Sequence, residues 1–257
     1  MFSTLKRIIV GRPIDTRMAA DHLLPKWIAL PIYCSDPLSS VAYANDEILL
    51  VLGLGGVAFV AVAPWVALAV MALLTLVVVS YRQTCHAYPS GGGAYVVSKL
   101  NLGNRAALVA AAALLIDYIM TVAVSISSGV ANIVSAFPGL HDNAVGICLG
   151  VIAFLALMNL RGVKESGTAF AIPTYGFIAS VLVLVGVGVF KVVTGQEVVA
   201  QSAHLALHAE GQMTSLLGFM LLLRAFASGC TALTGVEAIS NGVPTFRAPK
   251  SKNAATT

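Results

Sequence analysis

In a chain of 257 residues, 58% are hydrophobic and only 10% charged, and the mean hydropathy is +0.89, far from the balance of a water-soluble domain. The net charge of +4 comes without a long basic run or an aromatic surface motif, which argues against nucleic acid as a partner. Cys34, Cys85, Cys148 and Cys230 stand singly and read as small buried hydrophobes, and no nucleophile, base and orienting group assemble into the signature of an enzyme.

Residues 1–26 are polar and basic and lack the short apolar stretch of a cleavable signal, so they are expected to stay as a cytoplasmic N-terminal segment. Apolar runs of the length needed to cross a bilayer, about 20 residues, follow at 27–53, 57–80, 105–136, 143–160, 167–193 and 215–243. With the N-terminus in the cytoplasm, Lys6, Arg7, Arg12, Arg17, Lys26, Arg82, Lys99, Arg105, Arg161, Lys164, Arg247, Lys250 and Lys252 all fall on one side, and only Lys191 and Arg224 do not. The pattern predicts an all-α, multi-pass membrane bundle of six crossings in a cell membrane, with residues 194–214 outside and residues 244–257 in the cytoplasm.

Two segments read as broken helices. The first holds Ser35-Asp36-Pro37-Leu38-Ser39-Ser40, where Pro37 lacks a backbone donor and disfavours helix at Asp36. The sixth holds Ser228-Gly229-Cys230-Thr231 and then Thr234-Gly235. Breaks five segments apart point to a transporter of inverted five-helix repeats with its site where the breaks meet. On that pattern residues 27–193 form the first repeat, residues 215–243 begin a second, and four further helices are expected beyond Thr257. By itself the chain would then lack one wall of the pathway.

Between segments two and three, Pro89-Ser90-Gly91-Gly92-Gly93 lacks the Lys-Ser/Thr pair of a phosphate loop and predicts a tight turn into a short helix. His204 and His208 are four residues apart in the 194–214 connection, but no third metal ligand accompanies them.

Ionisable groups within membrane segments are costly and mark function unless a structural partner accounts for them. Asp36, Ser40, Tyr43 and Glu47 recur at helical spacing on one stripe, Asp117, Thr121, Ser125 and Ser128 on another, and segment six adds Thr234, Glu237 and Asn241. Carboxylates accompanied by hydroxyls and amides are ligands for a hard cation, not a soft metal. Each hydroxyl also has a plain alternative in bonding its own helix, and Glu237 has one in bracing the broken segment by accepting backbone hydrogen bonds. Asp46 and Glu47 lie nearer the outer face and fit a water interface. For Arg224, neutralising a carboxylate, snorkelling outward and lining an entrance all remain open.

The run from Leu30 to Tyr43, Leu-Pro-Ile-Tyr-Cys-Ser-Asp-Pro-Leu-Ser-Ser-Val-Ala-Tyr, resembles the first-helix signature of the Kim-type potassium importers of the amino acid/polyamine/organocation superfamily. Thr231 to Asn241 and Pro249 to Thr256 are similar to that group's sixth helix and the stretch after it. The resemblance covers the whole chain but only about the first half of such a transporter, and Pro37 departs from the small residue expected there. It implies a leucine-transporter-like fold, proton-coupled potassium uptake without a bound cofactor, and potassium ligands at Asp36, Tyr43, Asp117, Thr121, Ser125 and Thr234. It also implies proton coupling at Glu237 or Asp36, and a homodimer formed through a C-terminal region beyond this chain.

Rival readings within and beyond the superfamily also follow. An amino-acid permease would dock its substrate's carboxylate on free N–H groups of the first break, where Asp36 would repel it. A divalent-metal transporter would show Gly-Asn after Asp-Pro and Met-Pro-His in segment six, and neither is present. A non-transporting membrane scaffold or a truncated gene product is the reading from a different class.

Overall fold

The computed structural model describes residues 23–160, 163–196, 198–199 and 215–257, without the side chains of 163–166. The basic residues before Lys26, Arg161 and the pair His204 and His208 lie outside the described residues.

The chain folds as a succession of helices: α1 (Lys26–Gly53), α2 (Val57–Val60), α3 (Ala63–Ala87), α4 (Gly93–Leu102), α5 (Asn104–Ala136), α6 (Ala144–Leu160), α7 (Val163–Val193), α8 (Ser215–Gly229), α9 (Ala238–Asn241) and α10 (Lys250–Ala255). Among the described residues there is no strand, only an isolated bridge joining Leu24 to Phe246. Five stretches are long and apolar enough to cross a membrane: Val57–Ala87, Asn104–Ala136, Pro138–Leu160, Gly167–Val193 and Ser215–Asn241. The expected first crossing is not among them. At 28 residues α1 is long enough, about 42 Å at 1.5 Å per residue, but Asp36, Asp46, Glu47 and their polar neighbours dilute its apolar character.

The expected break in the first segment is also absent. α1 runs unbroken through Pro31 and Pro37. Proline within a membrane helix is tolerated where nearby groups satisfy the backbone it frees: Pro31 leaves the Trp27 carbonyl without its helical donor, and the Tyr175 hydroxyl of α7 donates to it at 3.0 Å.

α1 is the axis of the bundle, touching α3, α5, α7 and α8. Two apolar clusters grip its ends. At one, Ala44, Ile48, Val51 and Leu52 pack with Val66 and Val70 of α3 and Ala225 of α8. At the other, Leu24, Ile28 and Ala29 pack with Cys85, Val243, Phe246 and Ala254. Small residues permit the approach, as lipid-embedded packing requires. A methyl on Gly229 would stand 2.7 Å from an Ile48 carbon. Leucines, valines and isoleucines such as Leu115, Ile116, Leu182 and Leu184 face outward, as lipid-facing positions should. Between the two grips, the middle of α1 is the polar stretch around Asp36.

Candidate functional site

The sixth segment breaks opposite that polar stretch. α8 ends at Gly229, a 3-10 turn follows over Cys230–Leu233, Thr234 is extended at φ −68° and ψ 139°, and α9 begins only at Ala238. Gly235 turns the chain with φ +87°, a conformation that L side chains rarely adopt. The same glycine lies flat against α1: a Cβ there would stand 2.6 Å from Asp36 Cγ, 2.8 Å from Asp36 Oδ2 and 2.9 Å from Pro37 Cδ.

Glu237 lies within electrostatic range of Asp36 and of Asp117 of α5, and Asp117 also acts on Asp36. Asp36 Oδ1 and Glu237 Oε1 are buried and have no hydrogen-bond partner among the described residues. Glu237 as a whole is 6% exposed. The N–H groups of Glu237 itself and of Gly235 lie within reach of its carboxylate. Buried carboxylate oxygens without partners carry an uncompensated desolvation cost that a cation can offset. Among the described residues the one ion pair is His141 with Asp142 at the surface, so no Lys or Arg neutralises Asp36, Asp117 or Glu237. Arg224 is exposed on α8 and does not pair with them.

The three carboxylates do not close on one point as a multi-carboxylate metal centre would, since the described residues hold no such group of His, Cys, Asp and Glu. An ion here would draw the rest of its shell from hydroxyl and carbonyl oxygens.

The other expected ligands are placed unevenly. Tyr43 is buried and its hydroxyl pairs with Ser40 at 3.1 Å, and Ser40 in turn lies within reach of the Asp36 carboxylate. Ser125 meets α1 through Ser39 at 3.3 Å instead of through Asp36. Thr121 is buried one turn beyond Asp117, and Thr234 is half-buried in the extended link. Among the described residues no side-chain hydrogen bond joins either threonine to a carboxylate. On the other side of Tyr43 an open groove of ≈ 430 Å³ is lined by Asp46, Glu47, Ser127, Ser128 and Asn132.

Some neighbours escape a reading of the sequence. Ser39 bridges α1 to α5, and the Tyr81 and Tyr118 hydroxyls come within electrostatic range of Glu237 and Asp117. Tyrosines carry no helical-stripe signal of their own, although Tyr118 follows Asp117 directly.

A family model described as amino acid permease matches residues 27–256. Over its whole length the chain is 47% identical to the potassium transporter KimA of Bacillus subtilis (strain 168) and covers 42% of that protein. The chain thus spans less than half the length of the curated relative it matches.

Proposed function

The chain belongs to the amino acid permease family, and from that premise we propose that it carries the ion site of a secondary transporter that imports potassium across the cell membrane in exchange for energy stored in a proton gradient. The observation that carries this reading is the pair of buried carboxylate oxygens beside the Gly235 break, Asp36 Oδ1 and Glu237 Oε1, which have no hydrogen-bond partner among the described residues. With no basic side chain among the described residues to neutralise them, the site favours a cation. An amino-acid substrate would bring its own carboxylate to a break already occupied by Asp36. The activity of the Bacillus subtilis relative, potassium transport, agrees with that argument.

In this reading Asp36, Asp117, Tyr43, Thr121, Ser125 and Thr234 replace the water shell of the ion, and the Asp46 and Glu47 groove draws cations toward Tyr43. Glu237 couples the proton. A buried carboxylate can be neutralised by a proton or by a cation, so occupancy of one site bears on the other. The termini lie in the cytoplasm, consistent with the one-sided placement of basic residues. No cofactor is called for, and a homodimer would form through residues beyond this chain.

The test is uptake in liposomes by a full-length version of the protein. The parent accumulates potassium and no amino acid, while Asp36→Asn and Asp117→Asn each insert normally and lose uptake. Amino-acid uptake by the parent, or unchanged potassium uptake by both variants, would overturn the reading.

A further inference from the structure

Asn241, the last residue of α9, holds three parts of the molecule together. Its carboxamide Nδ2 donates to the Tyr118 hydroxyl of α5 at 2.7 Å. Its main-chain carbonyl accepts the Gly92 N–H at 3.4 Å, and its own N–H donates to the Glu237 carbonyl at 3.1 Å. The turn that ends at Gly93 is shaped to receive it. Gly91, Gly92 and Gly93 all have positive φ, which explains glycine as a backbone choice. The missing side chains explain it a second time. A methyl at Gly91 would stand 2.8 Å from the Asn241 carbonyl oxygen and 2.5 Å from Pro244 Cδ, and one at Gly93 would collide with the Asn241 carboxamide oxygen.

None of these contacts is needed to hold an ion. They fasten the stretch that follows the break to α5 and to the 89–93 turn, two elements that approach from different directions. We propose that Asn241 is a positioning residue, a latch that keeps this end of the sixth segment closed against the Gly91–Gly93 turn and α5 through its bonds to Gly92 and Tyr118. The bonds are between neutral groups and individually modest, so they can break and re-form within a transport cycle. The same stretch continues into Val243 and Phe246, which share one buried cluster with Cys85 of α3, itself only 2% exposed. When the latch opens, Cys85 is uncovered.

The structural part of the inference stands without the transport reading. Its functional consequence rests on that reading: Asn241→Ala lowers the maximal rate of potassium uptake and leaves the apparent affinity unchanged, because Asn241 hydrogen-bonds to no proposed potassium ligand.

Full-length protein in liposomes is treated with N-ethylmaleimide, and labelling of Cys85 is followed by mass spectrometry. Tyr118→Phe removes only a hydroxyl and keeps the ring, so it tests the bond with little threat to folding. Tyr118→Phe and Asn241→Ala should each speed Cys85 labelling about tenfold, as expected for loss of one buried hydrogen bond. The double variant should label no faster than Asn241→Ala, because both changes break the same bond. Gly93→Ala should match them, and Gly146→Ala, where nothing lies within 4 Å of an added methyl, should keep the parent's rate. Parental labelling in Tyr118→Phe and Gly93→Ala, or effects that multiply in the double variant, overturns the latch. Faster labelling in a protein whose parent form imports no potassium upholds the latch and overturns the proposed function instead.

Discussion

Gly235 and Asp36 are in such close contact that any larger residue at 235 must displace the Asp36 carboxylate: its Cβ would lie 2.6 Å from the Asp36 carboxyl carbon. The break in the sixth segment and the carboxylate of the first are therefore one structural unit. Backbone freedom and open space for Asp36 are demanded at the same position.

Gly235→Ala should consequently damage the site by two routes. Positive φ in a residue with a side chain costs about 1–2 kcal/mol, and the methyl must displace the carboxylate besides. A ligand that binds only the folded state raises its unfolding temperature. Potassium should raise that of the full-length parent and not that of Gly235→Ala. An equal rise in both would show that the Gly235 contact does not shape the site.

Glu237→Gln removes a charge and preserves shape. If Glu237 couples the proton, the variant should still exchange potassium down its gradient in vesicles, which needs only binding and alternating access, but should not accumulate it when an inward proton gradient is imposed. A variant that responds to the gradient as the parent does would leave Glu237 only a structural role beside the N–H groups of Gly235 and Glu237.

Ser39 and Ser125 share a hydrogen bond of 3.3 Å, and removing either hydroxyl breaks it. The loss of such a bond costs about 1 kcal/mol of stability in both variants. The two should part company in transport. Ser125→Ala should weaken apparent potassium affinity, whereas Ser39→Ala, whose hydroxyl is engaged with the Asp36 carbonyl, should not. Equal affinities in uptake assays would make Ser125 a helix-packing residue and no ligand.

Five of the six expected membrane segments were legible because lipid demands long apolar runs, and the break at Thr234-Gly235 because glycine beside small polar residues weakens a helix. Pro37 misled for a physical reason. A proline removes one donor, but whether the helix parts there depends on tertiary neighbours that the local sequence does not show, as where Tyr175 of α7 reaches the Trp27 carbonyl that Pro31 frees. The carboxylates were legible from the cost of burying charge, and Asp36 and Glu237 do face the break. Hydroxyls were not sorted by spacing alone. Thr75 and Thr84 bond carbonyls of their own helix, as do Asn45 and Asn132 through their amides, while Ser125 reaches across to Ser39. Only the packing of α1 against α5 distinguishes the two cases. Gly235 was readable as a hinge but not as the wall beside Asp36, since that role depends on a contact 199 positions away in the chain.

The central claim is that the carboxylate of Asp36, whose Oδ1 has no hydrogen-bond partner among the described residues, receives a cation, and equilibrium binding tests it without the complications of transport. Titrating potassium into purified full-length protein in a calorimeter should give saturable heat for the parent, no measurable binding for Asp36→Asn, and no competition from amino acids. Binding of potassium to Asp36→Asn with the parent's affinity, or its displacement by an amino acid, would contradict the account.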